Sequence, residues 1–276
     1  MKIKLLLIGQ ILLLVFSASS QPVTFYPHGI GGGGALFFPT INPGNEDEFY
    51  VSCDMSQSFH STNFGMTYSQ SDFRQLNVSS NSTFEFTNDG QTAYNISNDG
   101  SNEFPVKSTD NGSTWTAINA YDLNIYGSAH SIKAHYNDPA QFIVGAYGQI
   151  LISNDGGASF NIVKTANSLG AGLIVGGVFF DGNDIYIGTN DGLLHSSNGG
   201  SSFMVMPTTG ITAGQVIWNF AGGKNGGTTR FTCIASDIGD TYNGIKPWDY
   251  YGFAKAVYTM DNANGTWVDR SSGINF

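Results

Sequence analysis

The chain has 276 residues, of which 12% are charged and 36 are glycine, and its formal net charge is −10. The length suffices for a large buried core, and a hydrophobic fraction of 41% excludes a wholly disordered chain. Basic residues number 11 against 21 acidic ones, too few to neutralise a run of phosphates, so nucleic acid is not an expected partner. The glycine and aromatic content favours short strands joined by tight turns.

The N-terminus has the pattern of a secretory signal peptide. Two lysines precede the apolar run 5–16, and small residues precede a predicted cleavage site before Gln21. A helix over this run would be only about 18 Å long, shorter than the ~30 Å hydrocarbon core of a bilayer, so a membrane anchor is disfavoured. We therefore predict a signal peptide over 1–20 and a mature chain without a membrane span, exported to the periplasm or the extracellular space.

A motif of the form Ser-x-Asp-x-Gly-x-Thr-Trp recurs along the mature chain. Its two fuller copies begin at Ser108 and Ser153, a third at Ser196 has Asn in place of Asp, and weaker copies begin at Ser61 and Thr259. The five starts are separated by 47, 45, 43 and 63 residues. A period of about 45 residues is the length of one four-stranded propeller blade, so the repeat predicts a β-propeller.

The motif has the chemistry of a self-capping turn. Its Asp or Asn side chain accepts backbone hydrogen bonds, its Gly permits positive φ, and its final aromatic residue packs between sheets. We therefore predict a structural role for one residue in each copy: Asn63, Asp110, Asp155, Asn198 and Asp261. None of these loops matches the ligand spacing of a calcium-binding loop, and the sequence predicts neither a metal nor another cofactor.

The repeats also contain strand patterns in the order that a blade needs. The predicted strands are 35–41, 48–52 and 58–60 in the first repeat, 131–136, 141–145 and 149–152 in the third, and 172–180, 184–188 and 192–195 in the fourth. Five repeats fill nearly all of 21–276, with an insertion around 237–251 in the fifth. The sequence thus predicts an all-β propeller of four-stranded blades, about five of them visible.

The number of blades admits two interpretations. Five repeats could close as a five-bladed ring, or they could be part of a larger, seven-bladed ring that is incomplete at the C-terminus. A seven-bladed ring needs about 315 residues at this period. Because the last residues resemble a fourth strand that leads towards another blade, we favour the larger ring.

The repeated turn resembles the Asp box of sialidases, sortilin-type receptors, photosystem assembly factors and xyloglucanases. The glycine run 31–34, the apolar strand after it, the Asn42-Pro43 turn and the strand 49–53 also resemble the first blade of xyloglucanase-type glycoside hydrolases of family 74. This resemblance implies an inverting hydrolase in which Asp54 is the catalytic base. The sequence departs from the family pattern at 55–57, where the family has a pair of glycines, and the family takes its catalytic acid from a second propeller.

Further candidate residues lie in loops predicted between the second and third strands of the blades, on the face opposite the Asp boxes. These candidates for glycan binding are Asp99, Tyr147, Asp191, Asp237, Asp240 and Trp248, with Trp218, Tyr250 and Tyr251 as other aromatic candidates for sugar stacking. Ordinary turn chemistry and core packing are the alternative roles for these residues. Asp237 and Asp240 are also the local candidates for an acid partner of Asp54, which inverting hydrolysis requires about 6.5–9.5 Å from the base.

Two functional hypotheses follow. The first is a secreted carbohydrate-active propeller, similar to a glycoside hydrolase that acts on β-glucan or xyloglucan-type polysaccharide. The alternative is a non-catalytic secreted propeller that binds a glycan or a protein. A sialidase is disfavoured because none of the three mature arginines, Arg74, Arg230 and Arg270, lies in an Arg-Ile-Pro context. For Cys53 and Cys233, a disulfide and two buried thiols are both open.

Overall fold

The computed structural model describes residues 34–167, 172–237 and 254–275, and the regular structure in these ranges is almost entirely β-strand. Five four-stranded antiparallel sheets hold their strands in chain order, and each sheet is one blade of a propeller. The described ranges contain a single one-turn helix, α1 (Leu123–Tyr126). The predicted all-β propeller is therefore confirmed. The seven-bladed ring stays a prediction, and the predicted signal peptide lies outside the described residues.

Each blade runs from an innermost strand to an outermost one. Blade 1 contains β1 (Leu36–Asn42), β2 (Asn45–Cys53), β3 (Ser58–Ser61) and β4 (Ser69–Gln70). Blade 2 contains β5 (Glu85–Phe86), β6 (Ala93–Asn98), β7 (Glu103–Ser108) and β8 (Thr116–Ala117). Blade 3 contains β9 (Ala129–Ala134), β10 (Phe142–Ala146), β11 (Gln149–Ser153) and β12 (Asn161–Thr165). Blade 4 contains β13 (Val175–Asp181), β14 (Asp184–Thr189), β15 (Gly192–Ser196) and β16 (Met204–Met206). Blade 5 contains β17 (Gln215–Asn225), β18 (Thr228–Asp237), β19 (Ala256–Asp261) and β20 (Val268–Asp269).

Packing between blades explains why the second strand of a blade is largely buried, as β10 shows. All five residues of β10 are buried, because the strand lies in a blade with neighbours on both sides. Four clusters of buried side chains join blades 1 and 2, 2 and 3, 3 and 4, and 4 and 5. The cluster between blades 1 and 2, for example, stacks Tyr50 on Phe84 with 3.7 Å between ring centroids. The core of this fold is therefore the set of spaces between blades. Cys53 and Cys233 are buried thiols of blades 1 and 5 and do not form a disulfide.

In several blades the second and third strands place a similar pair of side chains on the face that contacts the next blade. In three blades a tyrosine of the second strand contacts a basic or imidazole side chain of the third strand: Tyr50 with His60, Tyr94 with Lys107, and Tyr186 with His195. On the face of blade 5 turned away from blade 4, Thr232 pairs with Thr259. Both threonines are half-buried, whereas their strand neighbours Phe231 and Cys233 are buried against blade 4. The face of blade 5 turned away from blade 4 is therefore more polar than its counterparts.

Four of the five motif turns share one hydrogen-bond pattern. In blade 2, Asp110 accepts bonds from the backbone N–H of Thr114 at 2.8 Å and from its hydroxyl at 2.6 Å, and Ser108 Oγ accepts a bond from Gly112 N–H at 2.8 Å. Asn63, Asp155 and Asn198 occupy the same position in blades 1, 3 and 4. The hydrogen bonds from Thr114 lower the pKa of Asp110. Such turns bind their own backbone, as the sequence pattern predicts.

The turn of blade 5 is different. Asp261 is the last residue of β19, the position that serine occupies in the other four turns. Its carboxylate accepts hydrogen bonds from Nε and Nη2 of Arg230 at 2.7 and 2.8 Å. The motif at Thr259 is therefore displaced by two residues along the strand, and Asp261 makes an ion pair between neighbouring strands in place of the turn hydrogen bonds.

Candidate functional site

A cavity of about 760 Å³ lies between the innermost strands of the blades. Its described wall is formed by β1, β9, β13 and β17, together with Asn81 and Thr83 just before β5. The innermost strand of every blade uses only one of its edges for pairing within the sheet, so the opposite edges border this central space. A cavity of this size, with mixed apolar and polar walls, is typical of a ligand-binding site.

Four of the innermost strands carry a β-bulge where they border the cavity. The ladder between β1 and β2 places Phe38 and Pro39 opposite the single residue Val51. The corresponding ladders leave one extra residue each in β9, β13 and β17, namely His130, Gly176 and Trp218. All of these bulged residues line the cavity. Bulges change the direction of a side chain relative to its strand neighbours and are frequent beside functional sites, so this ring of bulges marks the cavity as the candidate site.

Two of the bulged residues are aromatic. Phe38 is 40% exposed and has a φ of 45°, a left-handed conformation that costs a non-glycine residue roughly 1–3 kcal/mol. Trp218 is half-buried in blade 5. The polar residues Asn81, Ser131 and Asn219 also line the wall. Aromatic faces beside amide and hydroxyl groups suit a ligand that has both apolar faces and hydroxyl groups.

His130 is a buried polar residue of the wall. Its ring Nε2 lies 2.9 Å from the backbone oxygen of Leu173, and its side chain is buried. Burial lowers the pKa of His130 to about 4, against the opposing effect of the Leu173 hydrogen bond. The ring is therefore neutral at pH 7, with an Nε2–H that donates to Leu173. Tyr147, predicted as a binding residue, is 38% exposed and lies with its ring centroid 5.2 Å from that of His130.

Lys133 and Glu85 form an ion pair at the cavity wall. Lys133 Nζ lies 2.5 Å from Glu85 Oε1, and the side chains are 31% and 12% exposed. The second oxygen of Glu85 accepts a hydrogen bond from the backbone N–H of Ala134 at 3.2 Å. Burial raises the pKa of Glu85, while Lys133 and the Ala134 N–H act in the opposite direction. Lys133 lines the cavity, Glu85 is not among the lining residues, and Lys133 is the more exposed partner of the pair.

Asp54, the base implied by the family resemblance, is exposed immediately after β2. Its Oδ1 accepts a hydrogen bond from Ala35 N–H at 2.9 Å, and its own N–H donates to Ala35 O at 3.2 Å. Asn190 does the same in blade 4, where its Oδ1 accepts from Ile174 N–H at 2.8 Å and its N–H donates to Ile174 O at 3.3 Å. An amide and a carboxylate thus occupy equivalent positions, and both hold the start of an innermost strand.

The other predicted carboxylates are each engaged locally. Asp99 accepts hydrogen bonds from Asn102 and Ser101 N–H within its own turn, and these bonds lower its pKa. Asp191 forms an ion pair with Lys164 of blade 3 at 2.9 Å. Asp237 lies 3.4 Å from Lys255. The structure therefore does not gather these carboxylates around the cavity. Asp240, Trp248, Tyr250 and Tyr251 lie outside the described residues.

The bulged residues Phe38 and His130 and the ion pair of Lys133 with Glu85 were not predicted from the sequence. One signal for the first bulge was present, because Pro39 interrupts an apolar strand and proline inside a strand often marks a bulge. Within the described ranges, no group of three or more His, Cys, Asp or Glu side chains is arranged to hold a metal ion. The one helix in the same ranges is too short to cross a membrane.

Comparison with known proteins gives structural neighbours only. No protein-family model matches the sequence, and no curated protein matches it. The solved structures that are similar include an ancestral GH74 enzyme, with a TM-score of 0.66 and 19% identity over 90% of this chain and 32% of that one. The GH74 xyloglucanase from Xanthomonas campestris has a TM-score of 0.54 and 13% identity over 84% of this chain and 38% of that one.

A third similar structure is YCF48 bound to D1 peptide, with a TM-score of 0.53 and 12% identity over 85% of this chain and 68% of that one. The chain spans about a third of the length of the two GH74 proteins. At these identities the similarity shows the fold alone. The protein is a β-propeller, similar in architecture to enzymes that act on glycans and to a protein that binds a peptide.

Proposed function

We propose that this chain is a secreted β-propeller that binds a β-glucan or xyloglucan-type polysaccharide without hydrolysing it. The observation that carries the proposal is the cavity with its ring of bulges, which places Phe38 and Trp218 beside amide and hydroxyl groups. Sugar rings have apolar faces that stack on aromatic rings and hydroxyl edges that accept and donate hydrogen bonds, so both parts of the wall have a partner. Tyr147, beside His130, extends the aromatic surface.

The binding hypothesis is tested on Trp218. We expect Trp218→Ala to weaken binding of xyloglucan oligosaccharides by roughly 10–30-fold, because a half-buried tryptophan supplies a large contact area to a ligand. Isothermal titration calorimetry of the mature chain measures the affinity. The matched control is Phe73→Ala, which removes an aromatic ring that is 63% exposed and does not line the cavity. Equal effects of the two substitutions would exclude the cavity as the binding site.

Glycan hydrolysis is the second candidate function. It is supported by the fold similarity to a GH74 xyloglucanase and by the exposed position of Asp54 after β2. The contacts of Asp54 oppose it, because Ala35 N–H binds one carboxylate oxygen in the manner that Asn190 repeats in blade 4. A hydrolase also needs a positioned acid, and such a group contributes roughly 10²–10⁴-fold to the rate.

For Asp54 we expect Asp54→Asn to leave both glycan binding and thermal unfolding close to those of the unsubstituted chain. The reason is that an asparagine makes the same two backbone hydrogen bonds at the equivalent position of blade 4. The second measurement is release of reducing ends from xyloglucan and mixed-linkage β-glucan, for which we expect no turnover by either protein. Turnover by the mature chain that disappears in Asp54→Asn would establish the hydrolase and refute the non-catalytic proposal.

A further inference from the structure

The only basic side chain among the described residues that line the cavity, other than the neutral His130, is Lys133. Its ammonium is 2.5 Å from Glu85, whose side chain is 12% exposed. None of the described residues that line the cavity is acidic. The charge presented to a ligand is therefore set by one ion pair, in which a shielded carboxylate cancels a more exposed ammonium.

We propose that this ion pair makes the cavity selective for neutral sugars and that Glu85 is the residue that determines this selectivity. The inference rests on the proposed function and names the class of glycan that the site takes. Lys133 can still donate hydrogen bonds to hydroxyl groups, since an ammonium has three donors and Glu85 Oε1 accepts one of them. A uronate, in contrast, would lose its hydration in the cavity and would meet no uncompensated positive charge in return.

The net charge of the protein acts in the same direction. At −10 it repels anions at long range, and local attraction would have to overcome that repulsion. Removing the charge of Glu85 would change the balance at the cavity only, because Lys133 would then present a full positive charge. Glutamine retains the carbonyl oxygen that can accept a hydrogen bond from Lys133, so Glu85→Gln changes charge with little change of shape.

The experiment compares cellohexaose with a cello-oligouronate of the same length, in which the C6 hydroxyl groups are oxidised to carboxylates. Isothermal titration calorimetry on the mature chain should show at least tenfold weaker binding of the uronate. Glu85→Gln should raise the affinity for the uronate relative to that for cellohexaose by about tenfold, since one uncompensated charge readily supplies that difference. The matched control is Glu46→Gln, which removes the same charge from an exposed residue of β2.

A second variant covers the risk that a lone Lys133 disturbs folding. Glu85→Gln combined with Lys133→Met removes both charges and should restore the preference for cellohexaose. Equal binding of the two ligands by the unsubstituted chain, or equal effects of Glu85→Gln and Glu46→Gln, would overturn the inference. If the unsubstituted chain does not bind cellohexaose, xyloglucan oligosaccharides or the uronate, the proposed function itself fails. That result is distinct from binding without selectivity.

Discussion

Gly177→Ala is expected to lower the free energy of unfolding by about 3 kcal/mol, because β13 and β17 approach each other too closely for a side chain. A Cβ on Gly177 would lie 2.0 Å from the backbone oxygen of Phe220. The obstacle is backbone, so a change of rotamer cannot relieve it, and blades 4 and 5 would have to separate. The Phe220 side chain is also close to Gly188, because a Cβ added to Gly188 would lie 2.3 Å from the Cβ of Phe220.

Chemical denaturation followed by tryptophan fluorescence measures this loss. Gly227→Ala is the matched control, since a Cβ there has no neighbour within 4 Å and the backbone is not in the left-handed region. We expect the control to change stability by no more than about 0.5 kcal/mol. A Gly177→Ala protein as stable as the control would show that the contact between blades 4 and 5 is looser than the structure has it. The same two proteins, tested for glycan binding, report whether this contact shapes the cavity.

Acidification is expected to destabilise the protein through His130. In the unfolded chain a histidine takes up a proton near pH 6.5, whereas burial lowers the pKa of the native His130 to about 4. Between these values the unfolded state binds more protons, so stability is highest above pH 6.5 and falls as the pH decreases towards 4. This difference between the unfolded and native pKa of His130 corresponds to a loss of about 3 kcal/mol in the free energy of unfolding by pH 4, at about 1.4 kcal/mol for each pH unit.

The measurement is the free energy of unfolding at pH 7 and at pH 4.5, for the unsubstituted chain and for His130→Gln. Glutamine can donate to Leu173 O but does not titrate. Between the two pH values, the free energy of unfolding of His130→Gln should therefore fall by about 2–3 kcal/mol less than that of the unsubstituted chain. Other titrating groups are common to both proteins and cancel in the comparison. Parallel pH dependences would mean that His130 is accessible to protons in the folded state and does not hold the neutral form that its burial implies.

The repeat alone was sufficient to predict the architecture. A turn such as Ser108–Trp115 contains its own hydrogen-bond donors and acceptors, so its conformation is encoded within eight residues and can be read from the sequence. Strand limits in the regular repeats were also predictable, as for 149–152 against the observed β11 (Gln149–Ser153). Alternation and apolar runs depend on local spacing only. The turn of the fifth repeat was predicted less well. The motif beginning at Thr259 places Asp261 in the turn, whereas Asp261 is the last residue of β19.

The candidate site depended on tertiary structure. Asp54, Asp99, Asp191 and Asp237 were predicted from the loops that carry them, but hydrogen bonds and ion pairs with particular neighbours decide what each carboxylate is available to do.

The sequence by itself thus determined the repeat, the blade and the turn, because these depend on contacts between residues close in the chain. The cavity was decided by the register between strands, where one extra residue in β9 or β17 moves His130 or Trp218 to the wall. The pairing of Glu85 with Lys133 joins residues 48 positions apart in different blades. Such contacts depend on how blades pack against one another, and no local pattern of residues encodes that packing.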